Sequence, residues 1–260
     1  MSNSPLVTYT NLTSHRNSPR AHAIDTITIH CSVGQVTARQ GCDYFASTDR
    51  EASSNYVVGC DGSIGLSVEE KDRSWCSGGE DAYGNPILVN GISGADNDHR
   101  AITIETACDA FYPYAVTGAA YSALIELCTD ICRRNGIKKL LWKGDKSLVG
   151  QVEKQNMTVH RWFAATACPG DWLYERMGDI AGAVNRKLLE EEKEDNDMNY
   201  FKTLNDVPTS YQPAIRKLME RGVLKGVRDP DPNSLEDNIL NVSEDYCRVM
   251  TTLDRLGKLD

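Results

Sequence analysis

Three segments alternate apolar and polar residues with a period of two, the signature of strands: residues 24–31 (IDTITIHC), 55–60 (NYVVGC) and 101–107 (AITIETA). Two longer segments follow a helical period instead. Residues 118–135 carry YSALIELCTDICRRN ahead of Gly136, a residue suited to ending a helix, and residues 171–190 form a second helix that closes on DIAGAVNRKLL. Strands interspersed with helices predict an α/β fold, a mixed central β-sheet flanked by helices. The segment from Ser77 to Arg100 is rich in Gly, Asn and Asp, and its polarity and length predict a surface loop beside a groove.

The pattern breaks at residues 190–197 (EEEKEDND), where six acidic residues face one lysine, a net of −5. Such a composition suits a solvated helix end or linker. It predicts three parts: a first domain over 1–189, an acidic linker over 190–198 and a small helical domain over 199–260. In the last, Ile215, Leu218 and Met219 mark one helix stopped at Gly222. Ser243 is placed to cap another, which carries Val249, Met250, Leu253 and Leu256.

The chain has 260 residues, 40% hydrophobic and 25% charged, enough for a core domain and a smaller companion. A formal charge of −9 argues against nucleic acid, whose phosphates demand a basic footprint. No apolar run reaches the length of a membrane span. The start, MSNSPLVTYTNLTSHRNSPR, lacks a basic segment followed by an apolar one, so the expectation is synthesis in the cytoplasm without a signal peptide. Nine cysteines, an odd number with no export signal, are expected to be mostly reduced thiols. Cys31, Cys60 and Cys108 fall on strand-like runs, and Cys128 and Cys132 share a helix face, where a thiol packs as a small hydrophobe.

Chemistry concentrates in TVHRWFAATACPGDWL (158–173), where His160 and Cys168 stand eight positions apart with Thr166 between them. That spacing implies a loop folding back, ended by Pro169 and Gly170. His30, closing the first strand, offers a second imidazole. Two His and one Cys make three zinc ligands, the number a catalytic site keeps so that its fourth position stays open. Glu105, on the third alternating run, could orient a ligand or serve as an ordinary paired strand residue. His15, His22 and His99 lie in polar segments and read as spectators.

Together with SSNYVVGCDGSIG (53–65), these features resemble the type 2 N-acetylmuramoyl-L-alanine amidases, the family of small phage lysozyme-type amidases and animal peptidoglycan-recognition proteins. The resemblance spans residues 20 to 190. It implies a mixed sheet with Zn2+ at the floor of a groove, held by His30, His160 and Cys168. It also implies that Tyr56 orients water or the tetrahedral intermediate, that Thr166 donates to the oxyanion, and that Trp75 stands at the lip of the substrate groove. Glu105, from the run RAITIETA, is counted with Trp75 as a substrate-binding candidate. In the tail, DVP…AI.KL.E.GVLKG…N.SED…V…LDRLG resembles a single S-layer-homology-type repeat, which implies binding to a cell-wall polymer. An amidase fused to such a tail resembles a phage endolysin acting on peptidoglycan once the membrane is permeabilised. Two other readings stay open: a non-catalytic peptidoglycan-binding module, and a thiol hydrolase using Cys168 with His160. The tail invites self-association, and Met198, just after the purine-rich codons of EEEKED, could start a shorter product that joins the full chain.

Overall fold

The three alternating segments become the parallel centre of one sheet. A computed structural model of the chain describes residues 2–47, 49–197, 200–224 and 242–259, and the side chains of these except 191–200. Met198 lies outside the described residues. The chain divides into two compact units, Met1–Leu189 and Glu190–Asp260.

In the first unit the chain runs through β1 (Tyr9–Thr10), β2 (Arg16–Asn17), β3 (Thr26–Cys31), α1 (Ala38–Ser47), β4 (Tyr56–Val58), β5 (Ile64–Leu66) and β6 (Arg73–Ser74). It continues through β7 (Leu88–Val89), β8 (Ile92–Ser93), α2 (Gly94–Arg100), β9 (Ala101–Thr106), α3 (Gly118–Arg134), β10 (Met157–Val159) and the greater part of α4 (Asp171–Asp197), a helix that runs on past Leu189. Six strands form a mixed sheet in the order β1-β5-β4-β9-β3-β10. Its strands β4, β9, β3 and β10 are parallel, and β4 meets β5 antiparallel. The expected α/β architecture is therefore the observed one.

Side-chain alternation gives this sheet two unlike faces. Ile27, Ile29, Ile102, Ile104, Met157, Val159, Tyr56 and Val58 point one way, into the core that also holds Leu124, Leu127 and Ile131 of α3 and Leu173, Met177 and Ile180 of α4. Cys128 and Cys132 are fully buried in that core, as small hydrophobes. The other face carries Thr28, Thr103 and Thr158 and ends in His30 and Glu105. It is polar yet buried, because its groups satisfy one another: Thr28 and Thr158 share a 2.7 Å hydrogen bond, and Asn97 Nδ2 donates to Thr28 at 2.9 Å.

The segment from Ser77 to Arg100 is not the plain loop its composition predicts. It contains the β7–β8 hairpin and helix α2, begun by a capping box in which Ser93 and Asp96 bond each other's backbone N–H. Ser77, Asn97 and Asp98 are buried and hydrogen-bonded within the protein, with Asp98 Oδ1 alone left without a partner among their side-chain atoms. The start of α2 sits hard against residues 77 and 78: a Cβ on Gly94 would lie 1.8 Å from the Ser77 carbonyl oxygen.

In the second unit β11 (Tyr200–Phe201) pairs antiparallel with β12 (Val242–Ser243), and α5 (Gln212–Glu220) and α6 (Glu244–Arg255) complete it. Leu204, Val207, Ile215, Met219, Val242 and Cys247 form its core. Ser243 caps α6 as expected, accepting from the Tyr246 N–H at 3.2 Å. Val249 and Leu256 do not join that core. They are exposed, because the buried stripe of α6 runs through Cys247 and Thr251.

Candidate metal centre and active-site cleft

A cleft of about 610 Å³ opens over the polar face of the sheet, lined among others by Glu105, His160, Thr166 and Cys168. His30 is fully buried directly behind the lining residues Glu105, His160 and Cys168, because β3 alternates: the side chain after Thr26 and Thr28 takes their face, where β9 sets Glu105 directly across from it. His160 begins a short 3-10 turn directly after β10, the strand on the other side of β3. The chain then folds back to Cys168, whose carbonyl accepts from the Arg161 N–H at 3.1 Å. This return brings one ligand atom from each of His30, His160 and Cys168 within 4.8 Å of the others. The two imidazole centroids are 5.0 Å apart, and Cys168 Sγ lies 3.5 Å from His30 Nδ1.

The donors fit zinc in kind and in state. Burial, reinforced by the neighbouring His160, pushes His30 well below its ordinary value, and burial lowers His160 too, so both rings are neutral and free to ligate at pH 7. Their far sides are held by one short stretch: His30 Nε2 meets Ser77 Oγ at 3.3 Å and His160 Nε2 meets the Gly78 carbonyl at 3.4 Å. Such partners on the second nitrogen fix the tautomer and aim of a ligating ring. The stretch is wedged in place on its other flank as well, since a Cβ on Gly79 would fall 2.4 Å from the Phe163 carbonyl oxygen. At Cys168, a hydrogen bond with the Cys31 thiol lowers the thiol's pKa, but burial and the Glu105 charge outweigh it and hold the group above its usual value.

Among the described residues, Glu105 is the one carboxylate lining this cleft. Burial, with a smaller push from Cys108, raises it to about 7, and its Oε2 is buried without a hydrogen-bond partner. Beside it stands Cys76, whose Sγ is 4.0 Å from Glu105 Oε1. The sequence offered no cue to Cys76, Ser77 or Gly78, apart from their place next to Trp75 in RSWCSGG.

Tyr56 requires a correction. It lies on β4 opposite Ile104, so it points to the α3 face of the sheet, away from His30 and Glu105. Its hydroxyl is fully engaged there, donating to Glu70 Oε1 at 2.6 Å and accepting from the Ser4 N–H at 2.8 Å. Burial, with the Glu70 charge, raises its pKa. Thr166 is at the cleft, exposed, its hydroxyl oxygen accepting from the Cys168 N–H at 3.2 Å while its own proton stays free to donate. Trp75 lines the cleft too, with its Nε1 donating to Asn17 Oδ1 at 2.6 Å and its ring stacked on His15. His99 stands apart, accepting from the Ala21 N–H at 2.9 Å.

No curated protein matches the chain by sequence. Among solved structures it is similar to the Staphylococcus aureus hydrolase AmiA in complex with its ligand, at 15% identity and a TM-score of 0.49, over 71% of this chain and 84% of that one. A selenomethionine AmpD derivative is 18% identical, with a TM-score of 0.48, over 72% and 99%. A mutant endolysin from Bacillus subtilis is 16% identical, with a TM-score of 0.46, over 68% and 99%. The sequence profile of N-acetylmuramoyl-L-alanine amidase matches residues 20–171, which include all three candidate ligands and Glu105. With more than half of its 260 residues so matched, the chain belongs to the N-acetylmuramoyl-L-alanine amidase family.

Proposed function

We propose that this protein is a zinc-dependent amidase that cleaves the bond between N-acetylmuramic acid and L-alanine in bacterial peptidoglycan, and that it serves as a phage endolysin. The observation that carries this reading is the convergence of His30, His160 and Cys168 at the cleft, beside a buried carboxylate with one oxygen left unpartnered. Zinc held by these three residues would polarise the amide carbonyl and make water a usable nucleophile near neutral pH.

The chain's own groups account for the proton traffic. Glu105 takes a proton from the attacking water and hands it to the leaving nitrogen, so that the amide C–N bond breaks to give a carboxylic acid and a free amine. A carboxylate raised toward neutrality suits both steps. The Thr166 hydroxyl donates to the oxygen that gains charge, a contact worth roughly 3 kcal/mol in comparable sites. His30 and His160, neutral and tied at Nε2, hold their positions and take no part in the proton transfers. Trp75 offers its ring as a wall of the cleft against the substrate.

A thiol hydrolase is disfavoured by the raised Cys168 thiol, which leaves little thiolate without a cation. A non-catalytic binding module would show no turnover at all. Digestion of purified peptidoglycan tests the reading: new N-terminal L-alanine, without new reducing sugar ends, lost on chelation and restored by zinc, is the expected result. New reducing ends, or activity that survives chelator and dies with a thiol alkylator, would overturn it.

The second unit is proposed to bind a cell-wall polymer, on its resemblance to an S-layer-homology repeat, and to self-associate. A product started at Met198 would supply extra copies of it. The enzyme would act on the wall after the membrane is permeabilised. Among the described residues no helix is long and apolar enough to cross a membrane.

A further inference from the structure

His30 belongs to two donor sets. Besides the one with His160 and Cys168, a ring nitrogen of His30, Cys76 Sγ and a Glu105 carboxylate oxygen all lie within 4.8 Å of one another. We propose that His30, Cys76 and Glu105 form a second seat for a thiophilic divalent cation, alternative to the first, and that a cation in it leaves the amidase inactive.

The donor chemistry sets the class of ligand. Imidazole, thiolate and carboxylate together select zinc, cobalt or cadmium over magnesium or calcium, which prefer oxygen alone. Four-coordinate sites with bonds of 2.0–2.3 Å place their donors about 3.3–3.8 Å apart, so this set must contract by about 1 Å. Cys76 Sγ and Glu105 Oε1 already stand 4.0 Å apart, so that pair is close to the required spacing.

The frame behind these donors is firm. His30 and Glu105 are register partners on adjacent strands of the sheet. Cys76 is clamped by Asp98, whose Oδ2 accepts from the Cys76 N–H at 2.9 Å and from the Ser77 N–H at 2.8 Å. A vacant Glu105 Oε2, buried without a partner, is the kind of group that a cation relieves. As the sulfur–cation bond forms, the Cys76 thiol releases its proton to solvent.

Because both sets need His30, a cation takes one seat or the other. The seat itself does not depend on the proposed amidase mechanism. Its inactivating effect does, since it engages the carboxylate assigned there as the base.

Cobalt(II) is the probe, added to metal-free full-length protein and read by bound metal per chain and by the thiolate-to-cobalt absorption band. Wild type should bind one equivalent with the band. Cys168→Ser should still bind one equivalent, more weakly, with the band retained. Adding Cys76→Ser should abolish the band, and adding Glu105→Gln instead should weaken binding about 10-fold or more. A Cys168→Ser protein that takes up no cobalt, or takes it up without the band, overturns the proposal. So does a band that survives in the Cys168→Ser/Cys76→Ser double variant. If circular dichroism shows Cys168→Ser unfolded, His160→Ala carries the test: a band that depends on Cys76 supports the seat, and loss of cobalt refutes it. Failure of the amidase reading would appear separately, as zinc-loaded wild type that leaves peptidoglycan amides intact while the cobalt results stand.

Discussion

Replacing Tyr56 by Phe distinguishes a structural phenol from a chemical one, because it removes a single oxygen and almost no volume. The hydroxyl donates to Glu70, which is fully buried and held by Arg134 through Nη1 at 2.9 Å and Nη2 at 2.6 Å. Losing a hydrogen bond to a charged group costs about 1.5–3 kcal/mol, and the buried Ser4 N–H loses its acceptor as well. The expected destabilisation is about 2–4 kcal/mol. In a unit of this size each kcal/mol moves the midpoint by about 2–4 °C, so Tm should drop on the order of 10 °C. Thermal unfolding followed by circular dichroism gives this number, and amide cleavage at 20 °C gives kcat on the same sample. The zinc-loaded variant should keep kcat within about threefold of wild type, because the phenol lies across the sheet from His30 and Glu105. A 100-fold fall in kcat with an unchanged Tm would refute the reasoning and return Tyr56 to the reaction.

Glu105→Gln should lower kcat by about 10²–10⁴, the range for removing a positioned base, while bound zinc stays at one equivalent by elemental analysis; undiminished turnover removes Glu105 from the mechanism. His30→Ala should bind neither zinc nor cobalt, because His30 is the ligand common to both donor sets; stoichiometric metal in that variant would contradict both. Asp98 bears on stability against pH. Burial raises it to about 6, above its ordinary value of 3.8, so between those values the folded chain holds more protons than the unfolded one and stability falls as pH rises. Melting curves of Asp98→Asn should lose that part of the slope, and an identical slope in both proteins would show that Asp98 ionises as it does in the unfolded chain.

Alternation made much of the site legible. In IDTITIHC the polar residues fall on every second position, so Thr26, Thr28 and His30 had to share a face, and AITIETA places Glu105 on the matching positions of its neighbour. Tyr56 was misassigned because the segment NYVVGC, grouped with the alternating runs, has an apolar centre, YVV, that carries no sign of which residue faces which way. The run from Ser77 to Arg100 was misjudged for a different reason. Ser77, Ser93, Asn97 and Asp98 are buried by hydrogen bonds to other protein groups, and polarity in a sequence does not distinguish a group bonded to water from one bonded to protein. Cys76 and Ser77 acquire meaning only from a tertiary approach to His30, a residue 46 or 47 positions earlier.

The ribbon Ser77–Gly79 works like a shim with no clearance on either side. Helix α2 presses on it at Gly94, and the return loop presses on it at Phe163 and Ala164. A methyl group added at residue 94 would run into the ribbon and one added at residue 79 would push the ribbon off Phe163 and Ala164, and the ribbon carries the contacts of both imidazoles. The alignment of the whole centre is thus set by two residues with no side chain, and a search for reactive groups would pass over both. Damage at either would register first as a looser grip on the metal, with the sheet, its core and every chemical group still in place.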